Sequence, residues 1–269
     1  MSHIKMATHL LCDDTVRLHP ATRPSPLPTI FACGDSAVLV DFERADGSVK
    51  ALDEARLLER VSTLDRALLR HPPRGFIETV TAYRTLLVSC APTVSHFEAI
   101  SRAVLAACRS GSAAIYTRRR WRIPVAYGGA FGIDLADVAE RLGTDQERIV
   151  DTHANAHYTV AMIGFLPGFA YLTGLPGWLA LPRRATPRPL VPAGGIAIGG
   201  AQTAIGSIAG PSGWHQIGRT PVVAFDRARE PVTFLEAGDE IVLHRIDAAE
   251  FTRLAQAAAD GEIVAERLT

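Results

Sequence analysis

The sequence predicts an α+β protein in which a small α+β unit precedes a closed β-barrel. Three observations carry that expectation. Residues 29 to about 111 follow the order β-β-α-β-β-α. A joint of small and polar residues, SGSAAIYTRRRW, then breaks the pattern near residues 112–120. Beyond it come short apolar runs punctuated by glycine and proline, as in a barrel with a few helices. At 269 residues the chain is long enough for two ordinary domains.

Residues 1–28 have no continuous apolar core, carry Asp13 and Asp14, and end in three prolines within five residues. They read as a loosely attached tail and not a signal peptide. TIFACGDSAVLVDFE is two apolar runs split by Gly34-Asp35, a hairpin signal. Leu52, Leu57, Leu58, Val61, Leu64 and Leu68 recur at helical spacing. GFIETVTAYRTLLVSCAP reads as two more strands, closed by Pro92, and VSHFEAISRAVLAACRS as a second amphipathic helix. Two helices over one sheet face make a compact layer, here residues 29–116. Arg118–Arg120 read as a solvated linker.

In the barrel region, 117–246, WRIPVAYGG is a strand running into a glycine turn. DLADVAERLG is a helix capped by Asp134 and stopped by Gly143. TDQERIVDTHAN is another, with Thr144 as N-cap and Glu147 completing a capping box. HYTVAMIGF, GGIAIGG, TPVVAF, PVTFLEAGD and EIVLHRI are read as strands. Residues 247–269 form a C-terminal helical extension.

Composition narrows the function classes. Lys+Arg and Asp+Glu balance at 28 each, which argues against a dominant nucleic-acid or membrane surface. No run of 18 apolar residues is present, so a cytoplasmic protein is expected. Cys12, Cys33, Cys90 and Cys108 form no Cys-x-x-Cys pair and read as small hydrophobes in a reducing compartment. The P-loop, dinucleotide and nucleophile-elbow motifs are absent. His153 and His157 stand four apart, but a helix-to-strand change between them separates the rings, so no metal site is expected.

The chemistry concentrates in four stretches: GFLPGFAYLTGLP, PRRATPRPLVPAGG, GGAQT and PSGWHQIGRTP. Each combines rigid punctuation with aromatic, arginine or hydroxyl side chains. Arg183, Arg184, Arg188 and Arg219 suit carboxylate or phosphate. Gln202, Ser212 and Thr220 suit a small polar substrate, and Phe165, Phe169, Tyr171 and Trp214 suit pocket walls.

These motifs, with DTHANAHYTVAMIGFLPGF upstream and GDSAVLV, GFIETVTAYRTLLV and GDEIVLHRI outside them, closely resemble the family of the 5-oxoprolinase B subunit, also called allophanate hydrolase subunit 1. That family includes the Kip-type inhibitors of sporulation histidine kinases, and the same module occurs in the carboxyltransferase region of urea amidolyase. The resemblance covers about residues 29–246. It implies a cyclophilin-like barrel after the α+β unit. It also implies ATP-dependent opening of 5-oxo-L-proline to L-glutamate, with a second carboxyltransferase-type subunit and a lactam-utilisation-type subunit as partners. Position-by-position matching puts catalysis on Arg219, Gln202 and His153. Substrate binding falls on Phe165, Pro167, Gly168, Phe169, Tyr171, Arg183, Arg184, Arg188, Ser212, Trp214 and Thr220.

The chain departs from the family at several points. Ala130 follows YGG where an acid is usual, Ala193-Gly194-Gly195 replaces Ala-Gly-Ser, GSIAGPSGW lacks the usual Tyr-Pro, and Thr81 replaces a proline. The missing tyrosine and acid bear on substrate identity. The glycine-rich run VPAGGIAIGGAQTAIG is expected to form one wall of a barrel pocket, with main-chain N–H groups facing an anion. Two other functions are compatible with the resemblance: a non-catalytic inhibitor of a sensor histidine kinase, and a carboxyltransferase-type subunit acting on urea, allophanate or a related amide.

Overall fold

A computed structural model describes residues 27–42, 54–110 and 118–268. The tail 1–26, Cys12, Leu52 and the joint at 111–117 lie outside them. The described residues divide into two compact units, one holding 27–42, 54–80 and 84–110, the other 81–83 and 118–268.

The first unit contains β1 (Thr29–Cys33), β2 (Ala37–Asp41), α1 (Glu54–Arg70), β3 (Phe76–Thr81), β4 (Thr85–Cys90) and α2 (Phe97–Ser110). Gly34, with φ of 66°, turns β1 into β2. The sheet order is β1-β2-β4-β3. Strand alternation buries Val38, Val40, Leu86 and Val88 in one core with Val61, Leu64 and Leu68 of α1 and Ile100 and Val104 of α2.

The second unit begins with β5 (Arg120–Tyr127), α3 (Leu135–Leu142), α4 (Gln146–Asn155), β6 (His157–Ile163) and β7 (Ala170–Thr173). It continues with β8 (Arg188–Val191), β9 (Gly195–Gly199), β10 (Gln202–Ile205), β11 (Gly210–Ser212) and β12 (His215–Arg219). It ends with β13 (Glu240–Arg245), α5 (Ala248–Ala259) and β14 (Glu266–Leu268). The strands run β12-β9-β10-β7-β6-β13-β5, and a β12–β5 pairing closes the barrel. β8 and β11 form a separate pair.

Ile123, Val125, Val160, Leu172, Ile196, Ile198, Ile205, Ile217 and Leu243 pack into one continuous core with Val138 of α3 and Ile149 of α4. The inward side of β9 and β10 is therefore filled by side chains. A pocket walled by the glycine-rich run therefore lies on its outward face, where Ala197 and Ala204 pack against Trp214. Among the described residues no helix is long and apolar enough to cross a membrane.

Several elements differ from the sequence reading. The N-cap of α4 is Asp145, whose carboxylate accepts the Arg148 N–H at 2.7 Å, and not Thr144. Asp134 makes no side-chain cap bond to α3; Gly143 ends that helix as expected, at φ of 63°. TPVVAF and PVTFLEAGD share only an isolated bridge, Phe225 to Thr233. The bridge is held by two main-chain bonds, Asp226 N–H to the Val232 carbonyl and Phe234 N–H to the Ala224 carbonyl, each 2.9 Å, and beyond it the Arg229 guanidinium donates to the carbonyls of Val223 and Pro231 where a longer ladder would pair them. β14 adds a strand to β5 within the expected helical extension. Arg119 is no linker residue: its Nε and a terminal nitrogen donate to buried Asp239 at 2.8 and 2.6 Å.

Candidate functional site

The outward side of β7, β10, β9 and β12 carries the site. In the β9–β10 hairpin Gln202 pairs with Gly199 and Ala204 with Ala197, and Ala204 pairs onward with Tyr171 of β7. Ala197 and Ala204 pack against Trp214, with Phe169 and Tyr171 beside them. The glycine content has a steric cause here. A Cβ on Gly199 would sit 2.6–2.7 Å from atoms of the Trp214 indole, and a Cβ on Gly195 would collide with the Gln216 side-chain oxygen. Bare backbone on β9 lets both side chains lie against the strand.

Four aromatic rings then assemble. Phe169 lies 4.8 Å from Tyr171 and 6.5 Å from Trp214 between centroids, and Tyr171 lies 5.7 Å from Trp214. Phe165 meets Phe169 edge-on at 5.9 Å. Such tilted and edge-to-face contacts are favourable beyond the area they bury. Phe165 is 65% exposed and has φ of 71°, a left-handed conformation that bulky residues avoid. Exposed Pro167 and buried Gly168 complete the loop, and a Cβ on Gly168 would meet the Ala224 carbonyl at 2.8 Å. Arg183 places its guanidinium carbon 5.5 Å over the Trp214 ring. It also lies near the Tyr171 phenol: burial raises that group's pKa and the Arg183 charge partly opposes the shift.

Ser212 sits beside this face, where its Oγ accepts the main-chain N–H of Trp214 at 3.1 Å. Gln202 is half-buried across from Gly199. The structure thus brings Phe165, Phe169, Tyr171, Arg183, Gln202, Ser212 and Trp214 to one surface. A cation over an aromatic platform can hold a small planar anion.

Other expected site residues stand elsewhere. Arg219 ends β12, whereas Trp214 precedes it, a separation of roughly 15 Å along a strand. Its Nε donates to the Ala193 carbonyl at 2.8 Å, and its guanidinium lies 5.5 Å over Phe251 of α5. It braces a loop, and the expected gathering of Arg219 with Trp214 and Gln202 is corrected. Thr220 is buried and its Oγ1 accepts the Val222 N–H at 3.2 Å, a turn bond. Arg184 and Arg188 both turn to Asp134.

His153 also leaves the catalytic role. It is fully buried on α4. Thr203 Oγ1 donates to the Ala197 carbonyl at 2.9 Å, so it accepts from His153 Nε2 at 2.9 Å. Nδ1 is left to accept the Tyr127 hydroxyl at 2.9 Å. Both ring nitrogens are engaged, and burial lowers the pKa to about 3. The ring is a neutral strut inside the barrel. Its folded pKa lies below its unfolded value of about 6.5, so the unfolded chain takes up the proton first. Stability from this residue is present above about pH 6.5 and is lost towards pH 3, at up to about 1.4 kcal/mol per pH unit. Urea unfolding at about pH 7, 6 and 5 checks this: the stability of His153→Gln should fall less steeply with acid than that of the parent. Equal slopes would contradict the neutral buried ring.

The sequence reading missed Asp134, Gln216 and Tyr127. Asp134 carried a signal: an acid at a helix start, just after the YGGAFG turn, in a chain with two arginines 50 and 54 residues on.

A family model described as carboxyltransferase domain, subdomain C and D, matches residues 28–235. The B subunit of the Bacillus subtilis 5-oxoprolinase is 35% identical over 234 residues, 81% of this chain and 92% of that protein. Its Haemophilus influenzae counterpart, also a 5-oxoprolinase B subunit, is 52% identical over 123 residues, 46% of this chain and 58% of that protein. The crystal structure of the Kluyveromyces lactis urea amidolyase has a TM-score of 0.71 at 16% identity, over 91% of this chain and 17% of that one. That last likeness is one of fold.

Proposed function

The chain belongs to the family of carboxyltransferase domains, subdomains C and D, and from that membership we propose that it is the B-type subunit of a 5-oxoprolinase complex. The complex would open 5-oxo-L-proline to L-glutamate with ATP hydrolysed to ADP and phosphate. The lactam C–N bond breaks, and water supplies the oxygen of the new carboxylate and the protons of the new amine. A second carboxyltransferase-type subunit and a lactam-utilisation-type subunit would complete the machinery in the cytoplasm.

The observation that carries the proposal is the meeting of Arg183 with the Tyr171–Trp214 platform. 5-Oxo-L-proline has a flat lactam ring and one carboxylate. The ring suits an aromatic face, and the carboxylate suits a two-pronged guanidinium. Gln202, on the same face, is suited to hydrogen-bond the lactam amide. No covalent nucleophile is required of this chain; its contribution is to bind and orient.

The test is reconstitution. The chain is co-expressed with the two partner subunits, and 5-oxoproline-dependent ATP hydrolysis is measured for the purified complex and for the chain alone. Turnover by the complex and none by the chain is expected. Turnover by the chain alone contradicts the subunit role. An inactive complex, together with inhibition of histidine-kinase autophosphorylation by the chain, contradicts the enzymatic reading altogether.

A further inference from the structure

We infer that Asp134 is a positioning residue that leaves Arg183, alone among its arginine neighbours, poised over Trp214 to take a carboxylate. The functional half of this inference rests on the proposed reading of the aromatic face; the positioning half does not. Asp134 is buried at 2% exposure, directly after the turn that runs from Gly128 to Gly132. Gly132 packs against the Ile217 carbonyl so closely that a Cβ there would collide with it, which fixes the turn against β12. Gln216 then grips Asp134 twice. Its carbonyl accepts the Asp134 N–H at 2.9 Å, and its own N–H donates to the Asp134 carboxylate at 2.7 Å.

The same carboxylate takes the arginine segment. Arg188 donates both terminal nitrogens to it, at 2.7 and 2.6 Å, and Arg184 donates one at 3.0 Å. The Arg184 backbone N–H is also held by the Gly213 carbonyl at 2.7 Å, one residue before Trp214. Arg184 is thus anchored through its main chain beside the indole and through its side chain at Asp134. Arg183, the preceding residue, is carried across the indole. It forms no ion pair among those of the described residues, and it is exposed. Without Asp134, the guanidiniums of Arg183, Arg184 and Arg188 would repel one another and splay. With two of them engaged, the third presents its donors to solvent from a fixed place.

Asp134→Asn and Arg184→Gln test the inference. Arg184→Gln keeps the Arg188 fork and the Gln216 bond, and serves if Asp134→Asn does not fold. The first readout needs no ligand: the Arg183 side-chain Nε–H resonance, assigned by its absence in Arg183→Lys. Ring current from Trp214 should displace it upfield in the parent; the displacement should be lost in Asp134→Asn and reduced in Arg184→Gln, which removes the side-chain anchor of the segment and keeps its main-chain one. The second readout uses the assembled complex. KM for 5-oxo-L-proline should rise about tenfold, while the inhibition constant of pyrrolidin-2-one, the same ring without a carboxylate, stays within about twofold, since a charge-assisted bond is worth roughly that tenfold factor or more. A general loss of structure would move both constants. A displacement that persists undiminished in the variants overturns the positioning role. Loss of the displacement with an unmoved KM upholds the positioning role and overturns the carboxylate reading of the face.

Discussion

Gly199→Ala is expected to dismantle the aromatic face while the barrel stays closed. The added Cβ would stand 2.6–2.7 Å from indole atoms of Trp214, nearer than carbon atoms approach without displacement. β9 cannot retreat, because Ile196 and Ile198 on its other side are locked in the main core. The indole must therefore leave, and with it go its contacts to Tyr171 and Phe169 and the seat of Arg183. Overpacking of this kind costs about 1–3 kcal/mol. In a unit of this size that lowers the melting temperature by roughly 2–4 °C per kcal/mol. Activity of the assembled complex should fall further, by about a hundredfold, because the stacking surface and the guanidinium are lost together. Near-ultraviolet circular dichroism, melting temperature and kcat/KM measure the three consequences. Gly177→Ala is the comparison: a Cβ there meets nothing within 4 Å, and no change is expected. Parent-like dichroism and activity in Gly199→Ala would show that the indole does not rest on β9.

The first unit is almost wholly legible in the sequence. Gly34 marks its hairpin, the leucine spacing marks α1, and the strand alternation that the sequence displays is the alternation that packs against the helices. The barrel is legible as a class but not strand by strand. β7, β10 and β12 lie in stretches that read as loops, because they are short and rich in glycine, alanine or polar residues. TPVVAF fails in the opposite sense. It has strand composition, but its pairing stops at one bridge, and beyond it Arg229 donates to the Val223 carbonyl where a longer ladder would.

The site is legible in its aromatic half. Phe165, Phe169, Tyr171 and Trp214 stand out by composition and motif, and they do meet. Its charged half is not. The Asp134 carboxylate joins groups 50, 54 and 82 residues away, separations that no local pattern encodes. A helix-opening aspartate looks like a cap, and only the fold shows that the carboxylate is engaged elsewhere. His153 and Arg219 fail for a related reason: motif position does not distinguish a residue that faces ligand from one that fills the barrel or braces a loop.

The second large effect falls on Arg183, and it decides whether this face binds the lactam carboxylate. Arg183 is exposed, makes no ion pair among those of the described residues, and touches the platform through its guanidinium, so the fold has little need of it. A bidentate guanidinium–carboxylate contact is worth about 3 kcal/mol when its partner is charged, or roughly a hundredfold in rate. Arg183→Lys keeps the charge but loses the fork, and should recover only part of that factor. The measurement is kcat/KM for 5-oxo-L-proline with the assembled complex, read beside the melting temperature. Carboxylate binding at this face requires a fall of about a hundredfold in Arg183→Gln, an intermediate value in Arg183→Lys, and melting within about 1–2 °C of the parent, as for surface substitutions. Full activity in Arg183→Gln would contradict it.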